Sequence, residues 1–433
     1  MAIGLVTRNG GAASQGTRLY VPFLNELRAA ILAPNDRDIV PLLNGLAAER
    51  CLTLLRPKSL RRLGAFFTPS DLAQRIVRRF RIEENETEIQ AFDPACGAGD
   101  LLLAIARKLP RKPTVSATLQ YWNTRIAGCD ISSEFVDAAR LRLALLAIER
   151  GSELDGSPAE LIDLLSKLVV ADGLSVSEQY SLSSHIVMNP PFGRVYSGPL
   201  SWRDGSVTAA ALFLERAARL AAPGTQIVAL LPEVLRTGSS YENWRNHIGQ
   251  LVFRSRPSSV GLFSDHADVD VFIQRFIKRS TRTRLAKAGR RRKDLGTVGD
   301  RFLVSVGSVV PHRHQKRGPE FAYLHPNNAA AWAEIRRLRE RRKFQGRTFT
   351  PPFVVVRRTS RPGDRFRATA TLVHGARRIA VENHLIVLSP RNGKLAECRA
   401  LMRLLRSSRI NEALNRLMRC RHLTTGSVTS LAW

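Results

Sequence analysis

The chain has 433 residues, 44% of them hydrophobic and 24% charged, which excludes wholesale disorder and leaves room for two or three domains with cores of their own. Sixty-seven Lys and Arg stand against 37 Asp and Glu, a formal net charge of +30, so the expected partner is a polyanion, nucleic acid foremost. No apolar run approaches the ~20 residues of a bilayer span. The N-terminus lacks an export signal and the five cysteines lack metal-site or disulfide spacing, so a cytoplasmic protein with no membrane partner and no metal is expected.

In chain order, residues 18–62 carry Leu24, Leu27, Ile31, Leu42, Leu43 and Leu46 at helical spacing, which predicts two or three helices, with Pro41 in a first turn. From Phe66 to about Ser240 the pattern becomes short apolar runs closed by Asp, Gly or Pro, each followed by an amphipathic stretch. Strands are predicted at 89–92, 126–129, 168–170, 185–188 and 226–231, with helices at 100–108, 133–149 and 209–221. This alternation predicts parallel βαβ units in a doubly wound α/β sheet, whose ligands bind at the carboxyl ends of the strands. A boundary is expected at about 245–285, followed by a basic run at 281–293. Beyond it come a charged helix near 330–343, strands at 353–357 and 385–388, and a leucine-rich helix at 395–406.

The chemistry-bearing residues fall at the predicted strand ends. The first reads Asp93-Pro-Ala95-Cys-Gly97-Ala-Gly99, where glycines let backbone approach a ligand and Asp93 can accept from an ammonium or hydroxyl group. The second ends in Asp130-Ile131, placing a carboxylate where a ribose diol could donate, although Asp130 could equally cap the next helix. The third ends in Asp172-Gly173. Three acid-and-glycine ends in succession predict a nucleoside ligand. A dinucleotide is disfavoured, since the third glycine of GxGxxG is missing and Asp93 would repel a pyrophosphate. The fourth end reads Asn189-Pro190-Pro191-Phe192. Its prolines hold the Asn189 carboxamide and the Pro190 carbonyl as rigid acceptors, and Phe192 offers a ring, which suits an amino group on a planar base.

These residues, preceded by Phe66-Phe67-Thr68-Pro69, resemble the amino-methylating DNA methyltransferases acting on adenine N6, in the motif order of their γ group. The resemblance runs from about 63 to 278. It implies a Rossmann-like class I methyltransferase fold divided as a helical N-terminal segment (1–62), an S-adenosylmethionine-dependent methyltransferase domain (63–280) and a basic DNA target-recognition region (281–433). It further implies that Phe67, Thr68, Asp93, Ala95, Gly97, Gly99, Asp130, Ile131, Asp172 and Gly173 hold S-adenosylmethionine. Asn189, Pro190, Pro191 and Phe192 would be catalytic, acting on an adenine flipped out of double-stranded DNA. No cysteine follows a proline, so the nucleophile of cytosine C5 methylases is absent. Ala98, where the family commonly has serine, is a mild departure.

The basic excess lies C-terminal: residues 1–250 hold 28 Lys and Arg against 25 Asp and Glu, whereas 251–433 hold 39 against 12. DNA recognition is therefore expected there, with Arg357, Arg358, Arg361, Arg365 and Arg367 around Pro362-Gly363 as candidate contacts. The expectation is a site-specific adenine methyltransferase of a bacterial restriction–modification or related defence system, nucleoid-associated, with a restriction or specificity subunit as a possible partner. Two alternatives stay open: methylation of RNA or of a protein glutamine, and a non-catalytic DNA-binding specificity subunit.

Overall fold

In the computed structural model, five short strands run parallel and stack their carboxyl ends along one edge. The structure describes residues 20–45, 47, 49–50, 68–81, 89–264, 267–280, 296–361, 363–418 and 422–433. Phe67, Pro362, Arg421 and the basic run at 281–293 lie outside them. Two compact units divide the chain. The first takes Met1–Pro232, Asn243–Val260 and Val271–Leu285, and the second Glu233–Glu242, Gly261–Asp270 and Ala286–Trp433.

In the first unit the strands are β1 (Ala91–Asp93), β2 (Ile126–Asp130), β3 (Leu168–Val170), β4 (His185–Met188), a separate hairpin of β5 (Arg194–Leu200) and β6 (Arg203–Thr208), then β7 (Gln226–Pro232) and β8 (Val252–Arg254). After β9 (Ser258–Ser264) comes β10 (Ala267–Lys278), and the main sheet has the order β3-β2-β1-β4-β7-β10-β8. The five strands from β3 to β7 are parallel, while β10 runs antiparallel to β7 and β8. His185–Met188 is buried at every position, as expected of a central parallel strand covered on both faces. The helices between strands form where expected, at Asp100–Ala106, Ser133–Glu149 and Ala209–Leu220. Ser132 starts the second of these by accepting from the Phe135 N–H at 3.3 Å.

The N-terminal helices Val21–Leu32 and Asp36–Leu43 are part of this unit's core. Tyr20 meets Phe135 edge-on at 5.2 Å, and Phe23, Leu27 and Ile31 are buried. Pro41 sits inside its helix rather than in the first turn. The cost of its missing N–H is borne near the helix C-terminus, only two residues before the end.

The second unit holds β11 (Phe302–Val306), β12 (Glu320–Leu324), β13 (Glu334–Ile335), β14 (Arg341–Lys343), β15 (Phe353–Arg357), β16 (Ala370–Val373), β17 (Ile379–Val381) and β18 (Leu385–Pro390). They form a five-stranded sheet, β11-β18-β15-β16-β13, and a three-stranded sheet, β14-β12-β17. The helices Leu395–Leu405 and Ser408–Leu417 contribute Cys398, Leu401, Leu405, Ile410 and Leu414 to the core against β15, β16 and β18. No helix forms at 330–343. Trp332 takes φ 63°, and Glu334–Ile335 pairs in parallel with Leu372–Val373, so strand pairing overrides a sequence whose apolar spacing reads as helical. Among the described residues no helix is long and apolar enough to cross a membrane.

Candidate functional site

Parallel pairing brings four loops together at the carboxyl ends of β1 to β4. After Asp93 the chain turns through Gly97 and Gly99, both in the left-handed region (φ 51° and 88°), and enters the helix at Asp100. A Cβ on Gly99 would stand 2.9 Å from that of Ala139, so glycine is needed both for the turn and for the close approach of two helices. At Gly173 a Cβ would lie 1.9 Å from the Pro94 carbonyl oxygen, so the third loop rests directly on the backbone of the first. Tyr180 holds it there, its hydroxyl donating to the Gly173 carbonyl at 3.0 Å. Gly173→Ala is expected to cost about 1–3 kcal/mol, as overpacking against rigid backbone does, measured as a lower denaturation midpoint.

The three strand-end acids are oriented by backbone N–H groups. Asp93 accepts from Ala95 at 3.1 Å, and Asp172 from Leu174 at 2.9 Å. Asp130 accepts from Gly97 at 3.1 Å through one oxygen and from Ser132 at 3.0 Å through the other, tying the second loop to the glycine turn. Burial pushes the Asp93 carboxyl up to about 8, and the charges of Asp130 and Asp100 add to the shift. Burial likewise raises Asp130 to about 6, against the N–H groups of Ser132 and Gly97, which favour its ionised form. Beside Asp130, Ile131 presents an apolar side chain that is 58% exposed. Three carboxyl groups that can accept hydrogen bonds, beside an outward apolar side chain, have the chemistry that fits S-adenosylmethionine.

The fourth loop joins this set through a residue far away in sequence. Asn189 Nδ2 donates to Thr68 Oγ1 at 3.0 Å, which distinguishes the two ends of the carboxamide and turns its oxygen away from Thr68. The Thr68 N–H donates to Asp100 Oδ2 at 3.0 Å. The other Asp100 oxygen accepts from Arg142 Nη1 at 2.8 Å. Arg142 is fully buried, and its guanidinium also donates to the carbonyls of Ala98 (2.6 Å), Leu42 (2.9 Å) and Leu43 (3.1 Å). One side chain thus joins the N-terminal helix Asp36–Leu43, the glycine turn and, through Asp100, the Thr68 backbone. Sequence reasoning missed Arg142. A signal was present: Phe135, Ala138, Ala139, Arg142 and Leu146 share one face of their helix at spacings of three and four, and an arginine on such a face needs buried acceptors.

The sequence-derived residues Asp93, Ala95, Gly97, Gly99, Asp130, Ile131, Asp172 and Gly173 therefore lie on adjoining loops, with Asn189, Pro190, Pro191 and Phe192 on the next and Thr68 reaching Asn189. The candidate DNA contacts fare differently. Arg367 is 0% exposed and donates to the carbonyls of Ser360 (3.3 Å) and Met418 (3.4 Å), so its charge serves the interior of the second unit and is out of reach of a duplex. Arg357 donates to the Pro326 and Ala329 carbonyls and Arg358 to that of Asn383, so both are half-buried structural groups. Only Arg361 and Arg365 of the five are exposed. Exposed basic residues also occur where sequence reasoning named none: Arg313, Lys316 and Arg317 in one loop, and Arg336, Arg337 and Arg339 before β14.

The sheet order and the loops at the strand ends are those of a class I methyltransferase fold. Residues 44–218 match the family described as N-6 DNA Methylase. Among curated proteins, a Type II methyltransferase, M.BanIII of Aneurinibacillus aneurinilyticus, is 30% identical over 138 residues, covering 30% of this chain and 22% of the relative. The match thus spans about a fifth of that relative's length. Solved structures with similarity include a putative class I S-adenosylmethionine-dependent methyltransferase of Listeria monocytogenes (12% identity, TM-score 0.39, 63% of this chain and 91% of that one). Another is the type IIG restriction endonuclease BpuSI (14% identity, TM-score 0.42, 99% and 71%).

Proposed function

We propose that this protein transfers a methyl group from S-adenosylmethionine to adenine N6 in double-stranded DNA, as the modification component of a restriction–modification or related system. The observation that carries the reading is the Asn189-Pro-Pro-Phe loop, its carboxamide held by Thr68, next to three acidic strand ends. When bound, the cofactor supplies an electrophilic methyl on a sulfonium. The Asn189 carbonyl oxygen and the Pro190 carbonyl accept the two N6 hydrogens, which directs the nitrogen lone pair outward for in-line attack, and Phe192 stacks on the extruded base. The Phe192 backbone is itself fixed, its carbonyl accepting from the Thr208 hydroxyl at 2.9 Å. Asp93 takes the cofactor ammonium, Asp130 the ribose hydroxyls and Asp172 the adenine amino group, with Ile131 against the ring. The exposed arginines of the second unit hold the duplex, and a specificity or restriction subunit is a further partner.

The test is to incubate the full chain with labelled S-adenosylmethionine and duplex DNA, RNA and protein substrates, then digest and identify the product. Label in N6-methyladenine of duplex DNA supports the reading. Label confined to RNA or to glutamine overturns it, as does intact DNA binding with no transfer.

Two further outcomes follow from the charges. Because Asp93 holds its proton up to about 8 in the free protein, pairing with an ammonium requires that proton to leave. Cofactor affinity is therefore expected to rise roughly tenfold between about pH 6 and 7, with proton release on binding. Calorimetry in buffers of differing ionisation enthalpy reads this, and Asp93→Asn should flatten the profile. Duplex affinity is expected to fall by about 10³-fold or more between about 50 and 200 mM salt, measured by anisotropy, if six or more phosphates are contacted.

A further inference from the structure

The hairpin β5–β6 begins two residues after Phe192 and belongs to neither main sheet. It is anchored at its base to the catalytic loop, since the Thr208 hydroxyl donates to the Phe192 carbonyl and the Ala209 N–H to the Gly193 carbonyl, both at 2.9 Å. One face is seated: Ser197 and Val207 are buried, as is Trp202 in the connecting turn. Strand alternation turns Arg194 and Tyr196 to the other face. Arg194 is stapled across the ribbon, Nε to Ser206 Oγ at 3.0 Å and Nη2 to the Ser206 carbonyl at 2.5 Å, so its charge stays at the hairpin base beside the Asn189-Pro-Pro-Phe loop. Tyr196 is 78% exposed, the highest value among the described large hydrophobic side chains.

A two-stranded ribbon is marginal by itself, and an aromatic ring held in water on it gains nothing for folding. Both features make sense if the ring has a partner when the site is at work. We propose that the hairpin is a nucleic-acid-binding element whose Tyr196 stacks on bases of the duplex bordering the extruded adenine, with Arg194 placing positive charge toward the adjacent phosphates. This rests on the methylase reading and deepens it. Pulling a base from the stack exposes the faces of its neighbours, and an aromatic ring that covers them offsets part of the unstacking cost. Rigid attachment to the Phe192 carbonyl means that the ring and the base-binding loop keep a fixed spacing.

The test compares the full-length wild type with Tyr196→Ala and Tyr196→Phe. Binding is measured by anisotropy on a labelled, unmethylated random-sequence duplex, and transfer by N6-methyladenine formed on the same duplex. Calorimetry with S-adenosylmethionine confirms that each variant retains its cofactor site. Removing the ring is expected to weaken duplex binding about 5- to 100-fold, while the phenylalanine variant stays within about threefold of wild type. Equal binding by wild type and Tyr196→Ala would overturn the proposal. So would a loss in Tyr196→Phe as large as in Tyr196→Ala, which would mean that the hydroxyl, not the ring face, makes the contact. A wild type that binds the duplex and the cofactor but forms no N6-methyladenine would overturn the methylase reading instead, while the binding comparison still decides the role of the hairpin.

Discussion

Methyl transfer by the Asn189→Ala variant is expected to fall about 10²–10³-fold, the usual loss when one preorganised polar group at the reacting centre is removed. The reason is geometric. Asn189 is immobilised between the end of β4 and Pro190, and its Nδ2 is committed to Thr68 at 3.0 Å, so its oxygen is aimed before substrate arrives. Removing it leaves the Pro190 carbonyl as the remaining acceptor for the amino group. The acids proposed to hold the cofactor lie at the ends of other strands, so binding of S-adenosylmethionine measured by calorimetry should stay within about threefold of wild type. Loss of both transfer and cofactor binding would point to collapse of the loop rather than to a chemical role for the carboxamide, and undiminished transfer would remove Asn189 from the mechanism.

Arg142→Met is expected to lower stability by about 3–5 kcal/mol, the range seen when one partner of a buried ion pair is removed. Its guanidinium has no route to water, and its loss strands the Asp100 carboxylate, whose side chain is 12% exposed, together with the carbonyls of Ala98, Leu42 and Leu43. Thermal unfolding should show a midpoint lower by roughly 10 °C. Because Asp100 also receives the Thr68 N–H, Asp100→Asn is the milder test: it keeps an acceptor for Thr68 while removing the charge. A midpoint for Arg142→Met within a degree or two of wild type would show that the four acceptors find other partners.

Much of the site was legible in the sequence because its chemistry sits at strand ends. An apolar run followed by Asp-Gly or Asn-Pro-Pro marks both the end of a buried strand and the residues exposed there. Periodicity also placed the helix Ser133–Glu149 and the strands at 168–170 and 185–188 correctly. What could not be read were the features decided by which segment packs on which. The helix expected at 330–343 gave way to strands because Glu334–Ile335 found an edge at Leu372–Val373. Arg367, one basic residue among many in sequence, is an interior group because the carbonyls of Ser360 and Met418 converge on it.

By itself the sequence determined the order and type of the strand-end loops, the acids and amide they carry, and the concentration of the net positive charge in residues 251–433. These are local properties, set by residue identity and by spacings of a few positions. The tertiary structure alone decided that Thr68 orients Asn189 across 121 residues, that Arg142 ties the N-terminal helices to the glycine turn across about 100, and which arginines face solvent. Such pairings depend on where a fully buried donor finds its acceptors, and that is set by the packing of whole elements rather than by any pattern along the chain.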